Sequence, residues 1–412
     1  MKILFFVNTF PCISETFVLN QVTGLIDKGH DVRIFAWGKP ESCMHEDVIK
    51  YNLKSLTWYL DRKIPKNKIM RIISIIPFFC SGLKRNGRKI FSLISPKYNI
   101  KATNLTLSYI ASRFRDIEAW SPDAIISHFG DNGILVTALK EAGIIDKKAQ
   151  NYVFFHAHEF CRMSESEVYK FYRPMFEAKD CILPISDYWR TKLINSGARE
   201  ENVRTFHMGI DVSRFAYSAP NHFEDKIKIL SVGRLVGQKG YEYALRAIAK
   251  YIARTKLNVE YTIIGRGNLE SRLKNLAKEL GIENNVLFLG AQSQDQVSKK
   301  LSDIDVFLLP SVTDENGFME GIPVALMEAM AVGKICISTY HSGIPELIEN
   351  EETGFLCNEK DPDGITEILD YLERLPESEL RAISSRARNK VFKDFNLKIL
   401  IDDLERLIAN GE

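Results

Sequence analysis

No Cys-x-x-Cys pair occurs among the seven cysteines, which stand at 12, 43, 80, 161, 181, 336 and 357. That spacing argues against a structural zinc site, and several of the thiols lie in apolar strand-like runs such as Cys181-Ile-Leu-Pro-Ile, so they read as buried and reduced rather than as a disulfide framework. A charge of one sign is also missing: Lys+Arg 55 against Asp+Glu 53 leaves a formal +2. The whole molecule is therefore no polyanion binder by net charge, and any basic function must be local. Long hydrophobic runs are absent too. The longest uncharged apolar stretch, residues 72–83, falls short of the ~18 to 20 residues that cross a bilayer, and Pro77 interrupts it. The opening run breaks at Asn8 and Pro11 without a small-residue cleavage site, so it reads as a first buried strand, not a signal peptide. With no 20- to 50-residue repeat, no low-complexity tract, and only 14 Pro and 24 Gly, solenoid, collagen-like and disordered classes drop out.

What is present is 412 residues with 45% hydrophobic side chains, more than one core usually organises. Short runs rich in Val, Ile, Leu and Phe alternate with helix-like segments: 2–9, 31–37, 123–129, 152–158 and 181–186, then, after a restart, 226–233, 259–265, 285–290, 306–311, 335–339 and a short Gly-Phe-Leu-Cys. Continuous apolar runs of this kind suit parallel strands covered on both faces, which predicts two doubly wound α/β sheets. The polar, turn-prone stretch at 207–224 separates them. Near the end, Leu397, Leu400, Ile401, Leu404 and Ile408 are spaced for one helical stripe.

In open parallel sheets ligands bind beyond the carboxyl ends of the strands, so polar residues just after the apolar runs are the first suspects. Gly233-Arg-Leu-Val-Gly-Gln-Lys-Gly240 carries two cations, Arg234 and Lys239, ahead of a helix-like segment, a combination that suits a diphosphate. It is not a P-loop, and standing alone it reads more readily as a solvated basic turn than as a phosphate site. After 306–311 comes a loop and helix with Glu320 and Glu328 eight residues apart, on roughly one face. Such carboxylates can accept hydrogen bonds from sugar or ribose hydroxyls, while the amides of Gly321, Ile322 and Val324 can meet a phosphate; Pro323 offers no N–H. His156-Ala-His-Glu159 places an imidazole where it can donate near neutral pH. Spacing suggests no third ligand that would make it a metal site. His128 and the segment Ser14-Glu15-Thr16 follow two further strands, where ordinary turns are the bland reading. Asp303-x-Asp305 directly precedes a strand and reads as a helix end, not a metal pair.

Together these pieces resemble the retaining GT-B glycosyltransferases of family 4 over nearly the whole chain: KILFFVNTFPCISETFVLNQ, FHAHEF, HMGIDVSRF, SVGRLVGQKG, EGIPVALMEAMAVGK and HSGIPELI. The SETF opening and the EGIPVALMEAMA form look most like the bacterial exopolysaccharide branch, the colanic acid and amylovoran transferases. The resemblance implies two Rossmann-like domains facing a central cleft. An acceptor-binding domain would span 1–206 and be completed by a terminal helix at 389–412; a nucleotide-sugar domain would span 207–388. It implies that Arg234 and Lys239 hold the diphosphate of a UDP- or GDP-hexose, with Glu328 on the ribose, Glu320 on the sugar and Arg266 at the base. His156 would steady the leaving group; Ser14, Glu15, Thr16 and His128 would lie on the acceptor side. Configuration would be retained by front-face attack, with no metal or other cofactor. The chain departs from the commoner pattern in lacking the first-loop Gly pair, in His158, and in Glu159 where Asp is common.

From Arg62 to Lys101 there are eleven Lys or Arg and no Asp or Glu, so the rest of the chain sums to −9. Interleaved Ile, Phe and Leu give this stretch both halves of an interfacial binder, and the expected location is peripheral, on the inner face of the cytoplasmic membrane, with a polyprenyl-diphosphate-linked saccharide as acceptor. No nucleic-acid module accompanies these charges. Two other functions fit the same chain: an epimerase or hydrolase of nucleotide sugars, and an inactive scaffold held at the membrane.

Overall fold

A computed structural model of the chain describes residues 1–12, 15–39, 46–60, 67, 69–73, 76, 98, 115–178, 180–220 and 222–410. Ser14, Cys43, Cys80 and most of the basic stretch at 62–101 lie outside the described residues.

The chain divides into two compact units: Met1–Ile185 with Arg190–Phe206 and Ile401–Glu412, and Ser186–Trp189 with His207–Leu400. Among its described residues the first unit holds six strands, β1 (Lys2–Thr9), β2 (Asp31–Gly38), β3 (Thr57–Tyr59), β4 (Ala124–His128), β5 (Gln150–Phe155) and β6 (Cys181–Pro184). They pair in parallel in the order β3-β2-β1-β4-β5-β6. The apolar runs explain the parallel choice. Ile3, Leu4, Phe5, Phe6 and Val7 are all fully buried, which only a strand covered on both faces achieves. Each such side chain contributes about 1.5–3 kcal/mol of burial.

The second unit repeats the plan with β7 (Lys226–Val232), β8 (Asn258–Ile264), β9 (Val286–Gly290), β10 (Val306–Leu308), β11 (Ile335–Thr339) and β12 (Phe355–Cys357), in the order β12-β11-β10-β7-β8-β9. In each sheet the winding reverses once, at β1/β4 and at β7/β10, and the crevice past those strand ends is where such folds bind ligands.

Sequence patterning missed β3, because three residues, Thr-Trp-Tyr, are too short to show a period. The expected terminal helix over 389–412 is in fact the end of one helix, Glu377–Asp394, and a second, Leu397–Asn410. From Ile401 the latter groups with the first unit, where Gly24 gives it room: a Cβ there would lie 2.9 Å from Ile401. His30 Nε2 to Glu405 (3.1 Å) and the Tyr152 hydroxyl to the Leu407 carbonyl (3.1 Å) hold it. Asp303 caps the helix Gln294–Ser302 and pairs with Lys228 at 2.7 Å, while Asp305 accepts from the Lys228 amide at 2.8 Å, so both aspartates are structural.

Candidate active site

In the second unit the switch point lies past β7 and β10. The loop after β7 can turn there because Gly240 adopts φ +65 and passes so close to the Pro310 carbonyl that a Cβ would sit 1.9 Å from its oxygen. Lys239 precedes it in a short 3-10 turn, Gly237–Lys239. Its Nζ reaches Glu320 Oε2 at 3.0 Å, with both side chains mostly buried. Arg234, on the same loop, is exposed and forms no ion pair among the described residues. Arg266 is exposed on the neighbouring loop, and its carbonyl accepts from the Leu235 amide at 3.0 Å. The two loops touch because Gly265 has no side chain: a Cβ there would lie 1.9 Å from the Gly233 oxygen.

Glu320 lies in the loop before the helix Val324–Val332, and Glu328 in that helix's second turn. The helix has Pro323 as N-cap and no side-chain cap, and among the described residues no hydrogen bond occupies the amides of Gly321, Ile322 or Val324. An uncapped N-terminus with free amides favours an anion. Glu328 is half-buried; burial raises its carboxyl to about 7, against the opposing pull of Arg214 and a hydrogen bond with Gln294.

Two residues that sequence reasoning left without a role complete this region. The Glu320 amide donates to His341 Nε2 at 3.0 Å, and the other ring nitrogen, Nδ1, meets Glu359 Oε1 at 2.5 Å. Glu359 also accepts from the Thr313 amide at 2.8 Å. Burial tends to raise the Glu359 carboxyl, but the bonds from His341 and Thr313 outweigh it and the net shift is downward. The motif HSGIPELI contained the signal: a histidine just past a strand's carboxyl end.

In the first unit, β4 and β5 end side by side and present two imidazoles. His128 Nδ1 lies 3.0 Å from His156 Nε2. His128 is fully buried, so its side chain offers nothing to an acceptor; it supports His156 instead. Its Nε2 is buried without a partner among the described residues. A bare lone pair there costs less than an unpaired N–H, so Nδ1 carries the proton of His128 and donates to His156, whose own proton then sits on Nδ1. Burial lowers both rings far below the usual imidazole range. Phe17 stacks on His156 at 4.4 Å. Glu159 Oε1 accepts from the His156 amide at 2.9 Å, its Oε2 is buried without a partner among the described residues, and burial raises the carboxyl to about 7. It braces the His156 backbone. Among the described residues no cluster of three His, Cys, Asp or Glu is placed to hold a metal ion.

Residues 129, 157 and 342, each following one of the three histidines, are Phe, Ala and Ser with φ +71, +73 and +49. Left-handed backbone at non-glycine residues costs about 1–3 kcal/mol each and gathers where function fixes the chain. Of the acceptor-side expectations, Thr16 is the exposed first residue of the helix Thr16–Asp27, and Glu15 occupies its N-cap position with Oε2 buried and unpartnered among the described residues. Burial raises the Glu15 carboxyl.

Comparison with known proteins adds an independent line. The family described as glycosyl transferases group 1 matches residues 214–390. WcaL of Escherichia coli K12, a glycosyltransferase provisionally assigned to colanic acid biosynthesis, is 36% identical over 99% of both chains. The amylovoran biosynthesis glycosyltransferase AmsK of Erwinia amylovora is 37% identical over 99% of this chain and 100% of its own. An Escherichia coli galactosyltransferase, named for UDP-Gal and α-D-GlcNAc-diphosphoundecaprenol, is 32% identical over 48% of this chain and 52% of its own. Among solved structures, Anabaena HepE in complex with UDP superposes with a TM-score of 0.73 at 16% identity, covering 100% of both chains, which bears on the fold.

Proposed function

The chain belongs to the group 1 glycosyl transferases of the GT-B fold, and from that premise we propose that it transfers a hexose from a UDP- or GDP-sugar to a lipid-linked saccharide in bacterial exopolysaccharide assembly, retaining anomeric configuration without a metal. The observation that carries the reading is the Lys239–Glu320 pair beside the unbonded amides of Gly321, Ile322 and Val324, at one switch point. There Lys239, Arg234 and the amides take the diphosphate, Glu328 the ribose hydroxyls, Arg266 the base and Glu320 the sugar. His156, a neutral donor through Nδ1, serves a sugar hydroxyl or the departing phosphate, and Ser14, Glu15 and Thr16 serve the acceptor. Rate enhancement in this reading comes from positioning and from stabilising the leaving phosphate, which helps deprotonate the acceptor hydroxyl. The names of WcaL and AmsK support the pathway class, and that of the galactosyltransferase supports a diphosphate-lipid acceptor.

A thermal-shift screen against UDP, GDP, ADP and their sugar conjugates tests the donor half, since a ligand of the folded state stabilises it by about 2.7 kcal/mol at 100 times its Kd. A shift selective for one base, lost in Arg234→Ala, is expected; no shift with any nucleotide sinks the reading. The pH dependence has a sign. Ribose hydroxyls donate to ionised Glu328, whose proton leaves at about 7. Donor affinity is therefore expected to be flat above pH 7 and to fall below it, by up to about tenfold per pH unit. Glu328→Gln should remove that slope; a slope unchanged in the variant would take Glu328 out of the site.

Membrane attachment belongs to the same reading. Ile69, Ile72, Ile73 and Ile76, at helical spacing within the basic stretch, are exposed. Flotation with anionic liposomes is expected, and it should weaken when Lys84, Arg85, Arg88 and Lys89 are neutralised or when Ile72 and Ile76 become Ser. Undiminished flotation of both variants would reject the membrane surface as a partner.

A further inference from the structure

Glu320 stands in a loop that no regular element fixes, yet the reaction proposed above needs its carboxylate at one place. Such a group gains precision from whatever holds its backbone, since a misplacement of about 1 Å can cost on the order of 100-fold in rate. The backbone N–H of Glu320 donates to His341 Nε2 at 3.0 Å. An N–H can only donate, so Nε2 must be the bare nitrogen of the ring and the proton must sit on Nδ1. Nδ1 then donates to Glu359 Oε1 at 2.5 Å, and Glu359 is itself anchored by the Thr313 amide at 2.8 Å and the Thr313 hydroxyl at 3.4 Å. His341 is fully buried, so no water competes for either nitrogen. Ser342 holds φ +49 immediately after it, and Gly343 admits the close approach of Ile322, 2.9 Å from where a Cβ would be. The strand ends of β11 and β12 thus reach the Glu320 loop through one imidazole.

We propose that His341 is a positioning residue: Glu359 fixes its Nδ1–H tautomer, and the bare Nε2 holds the Glu320 backbone so that the carboxylate meets the donor sugar. The proposal rests on the assignment of Glu320 to the sugar. His341 touches no reacting atom and takes up no proton in the reaction; it acts through the loop.

Two substitutions separate this role from simple packing. Gln at 341 places its carbonyl oxygen near the position of Nε2 and keeps an acceptor for the Glu320 amide. Asn at 341 reaches only the Nδ1 position, keeping the contact with Glu359 and losing the one with Glu320. Expected is a kcat for sugar transfer within about 5-fold of wild type for His341→Gln and reduced about 30- to 100-fold for His341→Asn, with nucleoside diphosphate affinity within about 3-fold in both. Equal kcat values for the two variants, or a loss residing in nucleotide affinity, would overturn the proposal. A long-range 1H–15N spectrum of 15N-histidine-labelled wild-type enzyme, assigned by the signal missing in either variant or, should neither fold, by the signal perturbed in Glu359→Gln, reads the tautomer without catalysis. A fixed Nδ1–H form with bare Nε2 is expected; an Nε2–H form overturns the proposal. Failure of the underlying assignment looks different: Glu320→Gln would then turn over at the wild-type rate.

Discussion

Replacing Glu320 by Gln is expected to lower kcat for sugar transfer by about 10³-fold, roughly 4 kcal/mol of transition-state stabilisation, while nucleoside diphosphate affinity stays within about 3-fold or tightens. The asymmetry follows from the ion pair. In the free protein Lys239 Nζ is 3.0 Å from Glu320 and both are largely removed from solvent, so an incoming diphosphate must share a cation that is already engaged. Neutralising Glu320 releases Lys239 to the phosphates and at the same time removes the carboxylate proposed to meet the sugar. The backbone amide of residue 320 still bonds His341, so the loop keeps its anchor and the loss reports on the side chain. Steady-state transfer assays set beside calorimetric titration of UDP and GDP measure the two quantities separately. Turnover near wild type would remove Glu320 from the site. Turnover without acceptor would instead favour the hydrolase or epimerase alternative.

How much of this was legible in the sequence depends on range. The twelve strands among the described residues rest on local apolar runs, and eleven of them are long enough or sufficiently apolar to be read directly; β3, with three residues, is not. Lys239 and Glu320 were readable as separate loop residues after strands, since position past a parallel strand is a local property. Their mutual contact, across 81 residues, was not. His341 and Glu359 escaped for the same reason: the histidine's place past a strand end is local and legible, but its bond to a backbone amide 21 residues earlier is not, nor is the bond of Glu359 to one 46 residues earlier. His128 shows the opposite failure. A histidine after a strand resembles a ligand contact in sequence, and only packing reveals it as fully buried and bonded to another ring. Nor did residue type mark the left-handed positions, because Phe129, Ala157 and Ser342 are not residues that usually adopt positive φ.

His156→Ala is the other variant with a large expected loss, about 10²- to 10³-fold in kcat, but it also leaves the buried Nδ1–H of His128 without an acceptor, at a cost of about 1–3 kcal/mol of stability. Phe17 would lose its stacking partner as well. His156→Gln separates the effects, because its carbonyl can accept from His128 while the donor at the Nδ1 position disappears; thermal stability near wild type with the same loss of kcat is expected. The form in which His156 works is also testable. Burial disfavours the imidazolium, so the ring remains neutral throughout the physiological range and contributes as an N–H donor that does not titrate. The kcat profile at saturating donor should therefore carry no limb from the His156 ring near pH 6.5; the groups that titrate near 7 are Glu328, acting on donor affinity, and Glu159, behind the His156 backbone. A limb near pH 6.5 that vanishes in His156→Gln would mean that His156 titrates as an ordinary imidazole, and the neutral-donor role would fall.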